Sequence, residues 1–143
     1  MKIVSRFAGL FNAAAVAGLL FSGRLLSWSP FVLVPQLLAL ALAFWARRAF
    51  PAGQFSVHPE PREPHLVESG PYRWIRHPMY TAVQTIVWSG VLGHPSPVTL
   101  ALGVVTLAAV AVRVADEEPL LRERIPGYAD YAARTKRFVP FVF

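Results

Sequence analysis

The chain of 143 residues is 55% apolar and only 15% charged, well below the roughly 25% charge of a soluble domain. The missing charge is concentrated in long uncharged runs, so most of the chain reads as lipid-facing helix rather than a globular centre. It has no cysteine, which excludes a disulfide framework, a zinc–thiolate site and a thiol nucleophile; the net charge of +6 flanks apolar runs, as lipid heads and topology require, instead of forming the basic stripe of a nucleic-acid binder.

The first apolar run covers residues 7–21, broken only by Asn12 and small residues. Lys2 and Arg6 ahead of it also fit a signal peptide, but no small-x-small cleavage site leads into a soluble domain, so a first transmembrane helix is expected. The second run covers 28–46, with Pro30 near its start and Trp45 near its end. The third covers 79–93, and the fourth 98–115, with Arg113 near its end. Crossing a bilayer takes about 20 apolar residues, with a range of roughly 17–25. The second and fourth runs meet this. The first and third reach it if Ser5, Arg6, Trp74 and Ile75 extend into the interface.

With four crossings, Lys2, Arg6, Arg47, Arg48, Arg62, Arg73, Arg76, Arg113, Arg122, Arg124, Arg134, Lys136 and Arg137 share one side. Arg24 lies opposite, and the 94–97 turn has no Lys or Arg. The positive-inside rule then puts both termini and the long loop in the cytoplasm. The expected architecture is an all-α, multi-pass integral membrane protein with about four transmembrane helices, located in the bacterial inner membrane. It is one membrane domain, 1–143, with two helices in 1–46 and a cofactor-binding region in 47–143.

Between the second and third runs, Pro51, Pro59, Pro61, Pro64 and Pro71 disfavour helix and predict extended structure. A long irregular loop in so small a protein is more often functional than idle. After the fourth run comes Asp116-Glu117-Glu118-Pro119. Pro119 cannot donate to the carbonyl of Ala115, which predicts a bend or restart there. Leu120, Leu121, Ile125, Tyr128 and Tyr131 then form the apolar face of an amphipathic segment expected on the membrane surface.

Two clusters carry chemistry. Residues 66–80 join a Gly70-Pro71 turn to aromatics, Arg73, Arg76 and His77, just ahead of a helix. Pro78 suits that helix's first turn, and its N-terminus offers N–H groups to a carboxylate or phosphate. An interfacial anchoring belt is the plainer reading. In the second cluster, Arg113 and Glu117 share a helix face, and charges at a membrane boundary are functional suspects, although a surface ion pair explains them equally well. No third carboxylate or paired histidine supports a metal, so none is expected.

The string Leu66-Val67-x-Ser69-Gly70-Pro71-Tyr72-x-x-x-Arg76-His77-Pro78-x-Tyr80, followed by Glu117-Glu118-x-x-Leu121, Gly127-Tyr128-x-x-Tyr131 and Arg137-x-x-Pro140, resembles the isoprenylcysteine carboxyl methyltransferase family, which is grouped with the membrane phospholipid methyltransferases. The resemblance covers about residues 58–143. It implies S-adenosylmethionine held on the cytoplasmic side between loop and helix ends, without a Rossmann fold. Carried over by position, it implies cofactor contacts at Pro64, His65, Leu66, Val67, Tyr72, His77, Pro78, Met79 and Tyr80, and a carboxylate for the methionine ammonium at Glu117 or Glu118. It also implies that Arg113 contacts the acceptor. Ala82 stands where family members commonly have Gly, and Pro64 where they often have His.

The residue types agree with such chemistry. Methyl transfer from a sulfonium is an in-line displacement that needs alignment and removal of water, and aromatic faces such as Tyr72, Trp74 and Tyr80 can hold a soft cation. A carboxylate acceptor needs no general base; an amine or thiol does, and His77 is the one histidine placed to try, though no catalytic residue is assigned. The expected function is an S-adenosylmethionine-dependent methyltransferase acting on a lipophilic or membrane-embedded carboxylate, amine or thiol. The alternatives are a sterol-reductase-like enzyme using NADPH, whose C-terminal pattern is similar, and a non-catalytic membrane protein. The expected partners are the bilayer and a lipophilic acceptor, with no nucleic acid.

Overall fold

The computed structural model describes residues 2–50 and 66–139, with side chains from residue 7 onward. Pro51, Pro59, Pro61, Arg62, Pro64, His65 and Pro140 lie outside the described residues, as do the side chains of Lys2, Ser5 and Arg6. The described chain is helical: α1 (Lys2–Phe21), α2 (Pro30–Arg48), a single 3-10 turn (Gly70–Arg73), α3 (Pro78–Gly93), α4 (Pro97–Arg124) and α5 (Tyr128–Arg134).

Proline sets the starts. It occupies the first turn of α2, α3 and α4, where its fixed φ suits the helix and its missing N–H costs nothing. Ser96 and Thr99 add a reciprocal cap to α4: the Ser96 hydroxyl accepts from the Thr99 N–H at 3.1 Å and the Thr99 hydroxyl accepts from the Ser96 N–H at 3.0 Å, which satisfies two otherwise orphaned donors. Gly127, at φ 80°, takes the left-handed conformation that lets the chain turn into α5.

The helices pack as antiparallel neighbours. Gly9 lies against Arg113 and Gly18 against Leu102, which pairs α1 with α4. Gly93 lies against Val32, and the buried Gln36 amide donates to Leu25 O at 2.7 Å and Ile86 O at 3.4 Å, which pairs α2 with α3. Leu19, Leu25, Val87 and Val91 form the core between the pairs, with Val16, Trp88 and Leu102 packed on it. This arrangement gathers the start of α1, the end of α2, the start of α3 and the end of α4 at one end of the bundle. The outer surfaces along the helices are apolar and exposed, including Phe11, Phe31, Leu37, Leu38 and Leu107. Helices α2 and α4 are long and apolar enough to cross a membrane; α1 contributes the shorter apolar stretch Phe7–Phe21, and α3 has 16 residues.

Two expectations need correction. Helix α4 does not restart at Pro119 but runs through it to Arg124. The last turns are held from the side, by Glu118 in an ion cluster and by Leu121 in an apolar one, and this outweighs one lost backbone bond. The apolar face after Pro119 is also not spread on the membrane surface. Ile125, Tyr128 and Tyr131 are buried together, with Leu66 and Leu121 against them, so the face is consumed by the chain's own loop.

A short parallel bridge between Ile75 and Lys136 ties the tail to the segment before α3. Its backbone bonds run from Arg76 N to Lys136 O at 2.7 Å and from Lys136 N to Trp74 O at 3.0 Å, followed by His77 N to Arg137 O at 3.0 Å.

Candidate functional site

At the cationic end of the bundle, the tail bridge aims two successive side chains of the 66–80 segment, Arg76 and His77, at α4. Both meet Glu118, which is 5% exposed. Arg76 Nε donates to Oε1 at 3.0 Å, and His77 Nε2 lies 3.4 Å from the same oxygen. Arg137 completes the cluster, with Nη2 donating to Oε2 at 3.1 Å and Nε lying 3.2 Å from Oε1. The guanidinium of Arg76 also donates to Ala132 O at 2.8 Å and to Thr135 O. Glu118 therefore joins four pieces of chain: the loop, α4, the end of α5 and the tail.

Glu117 faces elsewhere. Its Oε2 accepts from the Tyr80 hydroxyl at 3.0 Å, and that hydroxyl accepts from Arg113 Nε at 3.1 Å. Tyr80 thus stands between the two groups expected to form an i, i+4 pair. The Arg113 guanidinium lies over the Tyr80 ring, 5.7 Å from its centroid. It also fills the space above Gly9, where an added Cβ would come within 2.6 Å of Nη1. Glu117 is half-buried, and its Oε1 has no hydrogen-bond partner among the described residues.

The His77 ring links the two arrangements, lying 5.6 Å from the Tyr80 ring and 5.9 Å from Phe138. Pro78 is fully buried beneath it in the sequence. Leu66 and Tyr72 sit on the flank with α5: Leu66 packs on the Ile125–Tyr128–Tyr131 cluster, and Tyr72 O accepts from the Tyr131 hydroxyl at 2.7 Å. Val67 and Met79 are half-buried and enter through their chain neighbours. The structure thus gathers His77, Tyr80, Arg113, Glu117 and Glu118, with Leu66 and Tyr72 beside α5. Pro64 and His65 lie outside the described residues.

Three participants were not assigned a role from sequence. Arg76 and Arg137 stand in the quoted motifs, but only the folded bridge shows that they converge on Glu118. The third is Tyr128, 4% exposed, whose hydroxyl is buried without a partner among the described residues. Burial pushes the Tyr128 phenol well above its ordinary pKa, and Glu118 adds to this; burial likewise pushes Tyr131 up to about 12. Both remain protonated donors at neutral pH. Tyr131 uses its proton on Tyr72 O, whereas the Tyr128 donor is unpaired among the described residues. Its position in Gly127-Tyr128 was the available signal. Among the described residues, no three of His, Asp and Glu gather as a metal site would require.

Compared with known proteins, residues 36–125, well over half of the chain, match the family described as phospholipid methyltransferase. The match begins at Gln36 inside α2 and ends at Ile125 just past α4, so it contains His77, Tyr80, Arg113, Glu117 and Glu118. No curated protein and no solved structure gives a match.

Proposed function

The chain belongs to the phospholipid methyltransferase family, and on that premise we propose that it transfers a methyl group from S-adenosylmethionine to a lipophilic acceptor held at the cytoplasmic membrane boundary. The observation that carries this reading is the Arg113–Tyr80–Glu117 chain. It places a guanidinium and a partly free carboxylate on one face of α4, joined by a phenol. When bound, S-adenosylmethionine supplies an electrophilic methyl group on a sulfonium.

The chain's own residues divide the remaining work. Glu117, with Oε1 unpartnered among the described residues, accepts the ammonium of the methionine portion. Glu118, already bonded to Arg76, His77 and Arg137, fixes the loop against α4 and is not spent on the ligand. Hydrogen-bonding capacity favours Glu117 for this role: a carboxylate already bonded to two guanidiniums and an imidazole would have to release one of them to take a further cation. Tyr128 offers a hydroxyl left unpaired among the described residues, and the aromatic faces of Tyr72 and Tyr80 suit a soft cation. Leu66, Val67, His77, Pro78 and Met79 wall this space, and Pro64 and His65 extend it beyond the described residues. Arg113 orients the acceptor head, which fixes its approach to the methyl group. Leu66, Ile125, Tyr128 and Tyr131, packed together on the α5 side, would exclude water from that flank.

The single membrane domain, 1–143, crosses four times in this reading, with both termini and the 47–77 loop in the cytoplasm. The acceptor's tail stays in lipid while its head reaches Arg113.

The test is calorimetry on the detergent-solubilised chain with S-adenosylmethionine and, separately, NADPH, followed by labelled methyl transfer into a lipid extract. S-adenosylmethionine binding with label appearing in a lipid is expected. Binding of NADPH instead promotes the reductase reading, and binding of neither leaves a non-catalytic membrane protein.

A further inference from the structure

A cavity of about 460 Å3 opens on the side of α4 turned away from Arg113 and Glu117, lined by Ala111, Val114, Ala115, Glu118, Arg122, Arg137 and Phe138 among others. With about 100° of rotation per residue, positions 111, 115, 118 and 122 share one helical face, while 113 and 117 share another. The cavity therefore has Glu118 in common with the site above, and not the acceptor-facing groups.

Its chemistry is graded along α4. The deep end is Ala111, Val114 and Ala115, within the apolar stretch of a helix able to cross the membrane. The outer end holds the guanidiniums of Arg122 and Arg137 against the single carboxylate of Glu118, which leaves surplus positive charge. Arg122 forms no ion pair among the described residues. The Arg137 side chain is 44% exposed even while bonded to Glu118, so part of its guanidinium still faces out. An apolar wall in the hydrocarbon region, closing on excess cation at the boundary, is complementary to an acyl chain ending in a phosphate diester.

We propose that this cavity is a binding site for an anionic glycerophospholipid, distinct from the methyl acceptor, whose phosphate lies between Arg122 and Arg137 and whose acyl chain runs along Ala111, Val114 and Ala115. A net negative head is favoured because a zwitterionic one would bring its own ammonium toward two guanidiniums. The site has a consequence for the fold. Arg137 O accepts from His77 N, and the Arg137 side chain holds Glu118. A phosphate that fastens Arg137 to Arg122 thus fastens the tail that positions His77. The bound lipid acts as a third strut of the methyltransferase site.

The test is native mass spectrometry of the full chain in detergent, without cofactor, titrated with phosphatidylglycerol and with phosphatidylethanolamine, alongside melting curves. Retention of phosphatidylglycerol with a raised Tm is expected. Arg122→Gln should weaken retention about fivefold, in line with one cation at an anionic surface, and should abolish the Tm increment. Arg24→Gln, an exposed cation at the other end of the bundle, should change neither. Ala115→Phe, which fills the deep end, should also expel the lipid while leaving both arginines in place. Equal retention by Arg122→Gln and by the unaltered chain would overturn the proposal. So would a Tm rise with inorganic phosphate matching that with lipid, which would identify a soluble phosphate as the ligand, or, in a second titration that adds S-adenosylmethionine to the lipid-bound chain, displacement of the lipid, which would make the cavity the cofactor's. Lipid binding is read here without methyl transfer, so the site stands or falls separately from the proposed activity.

Discussion

Neighbouring residues on one helix can take different roles, because each step turns the side chain by about 100°. Glu117 points to Tyr80 and Glu118 to Arg76, His77 and Arg137. Glu118→Gln leaves the buried Arg76 guanidinium without its counter-charge, and breaking a buried pair costs about 3–5 kcal/mol. That variant should melt well below the unaltered chain, whereas Glu117→Gln should keep its Tm and lose S-adenosylmethionine affinity by calorimetry. The reverse pattern would exchange their roles. Gly9 offers a second residue-scale test. An added Cβ would meet the far end of a flexible side chain, Arg113 Nη1, at 2.6 Å, so Gly9→Ala should displace the guanidinium at little cost in Tm while lowering turnover. Unchanged turnover per folded molecule would make the placement of Arg113 over Gly9 irrelevant to chemistry. Arg113→Lys keeps the charge and loses the planar fork. It should lower kcat more than cofactor affinity, and a variant that loses only Tm would mark Arg113 as structural.

At the scale of elements, close approach is concentrated where α3 meets the turn after α1. An added Cβ at Gly90 would stand 2.8 Å from the carbonyl oxygen of Leu25, a backbone atom that cannot swing aside. Gly90→Ala should therefore push α3 from the 24–25 turn and lower Tm, with a cost of about 1–3 kcal/mol for overpacking; an unshifted melting curve would show that the turn yields. The helices were legible in sequence because the runs at 28–46, 79–93 and 98–115 are predominantly apolar, with Arg113 their one charge, and prolines mark the starts of α2, α3 and α4. The path of the chain after Pro119 was not. Proline reports a missing N–H, but whether the helix survives depends on lateral contacts at Glu118 and Leu121 that are distant in sequence. Likewise, the apolar pattern from Leu121 to Tyr131 announces a buried face without saying what buries it. Here Leu66 and the phenols themselves do so, and Ala82, at 1% exposure, shows that a methyl group is accommodated at that buried position of α3. His77, Tyr80, Glu117 and Glu118 could be named from motifs, but the separation of the two carboxylates, and the joining of Arg113 to Glu117 through Tyr80, needed the helices' relative rotation.

For the whole molecule, the antiparallel packing gathers Arg47, Arg48, Arg76, Arg113 and Arg122 at one end and leaves Arg24 near the other. Reporter fusions after Phe143 and within the 94–97 turn should give opposite compartments, with Phe143 cytoplasmic. Identical answers would remove α3 and α4 as a spanning hairpin. The same sorting explains how a chain with so little charge keeps a polar site: the charge is pooled at one end of the bundle, where a membrane boundary would lower its cost.

The bridge between Ile75 and Lys136 also has a consequence in time. Its two partners lie on opposite sides of α3 and α4 in sequence, so during synthesis both helices emerge before the second partner exists. Until the tail arrives, Glu118 lacks Arg137, His77 lacks the carbonyl that fixes its backbone, and the site is unmade although its helices are in place. Formation of the helices and completion of the site are then separate events. A chain stopped after Thr135 should integrate with normal topology, lack the His77 N to Arg137 O bond, and fail to bind S-adenosylmethionine. Supplying residues 136–143 as a separate peptide should restore binding only weakly, because the closure that was intramolecular would then depend on peptide concentration.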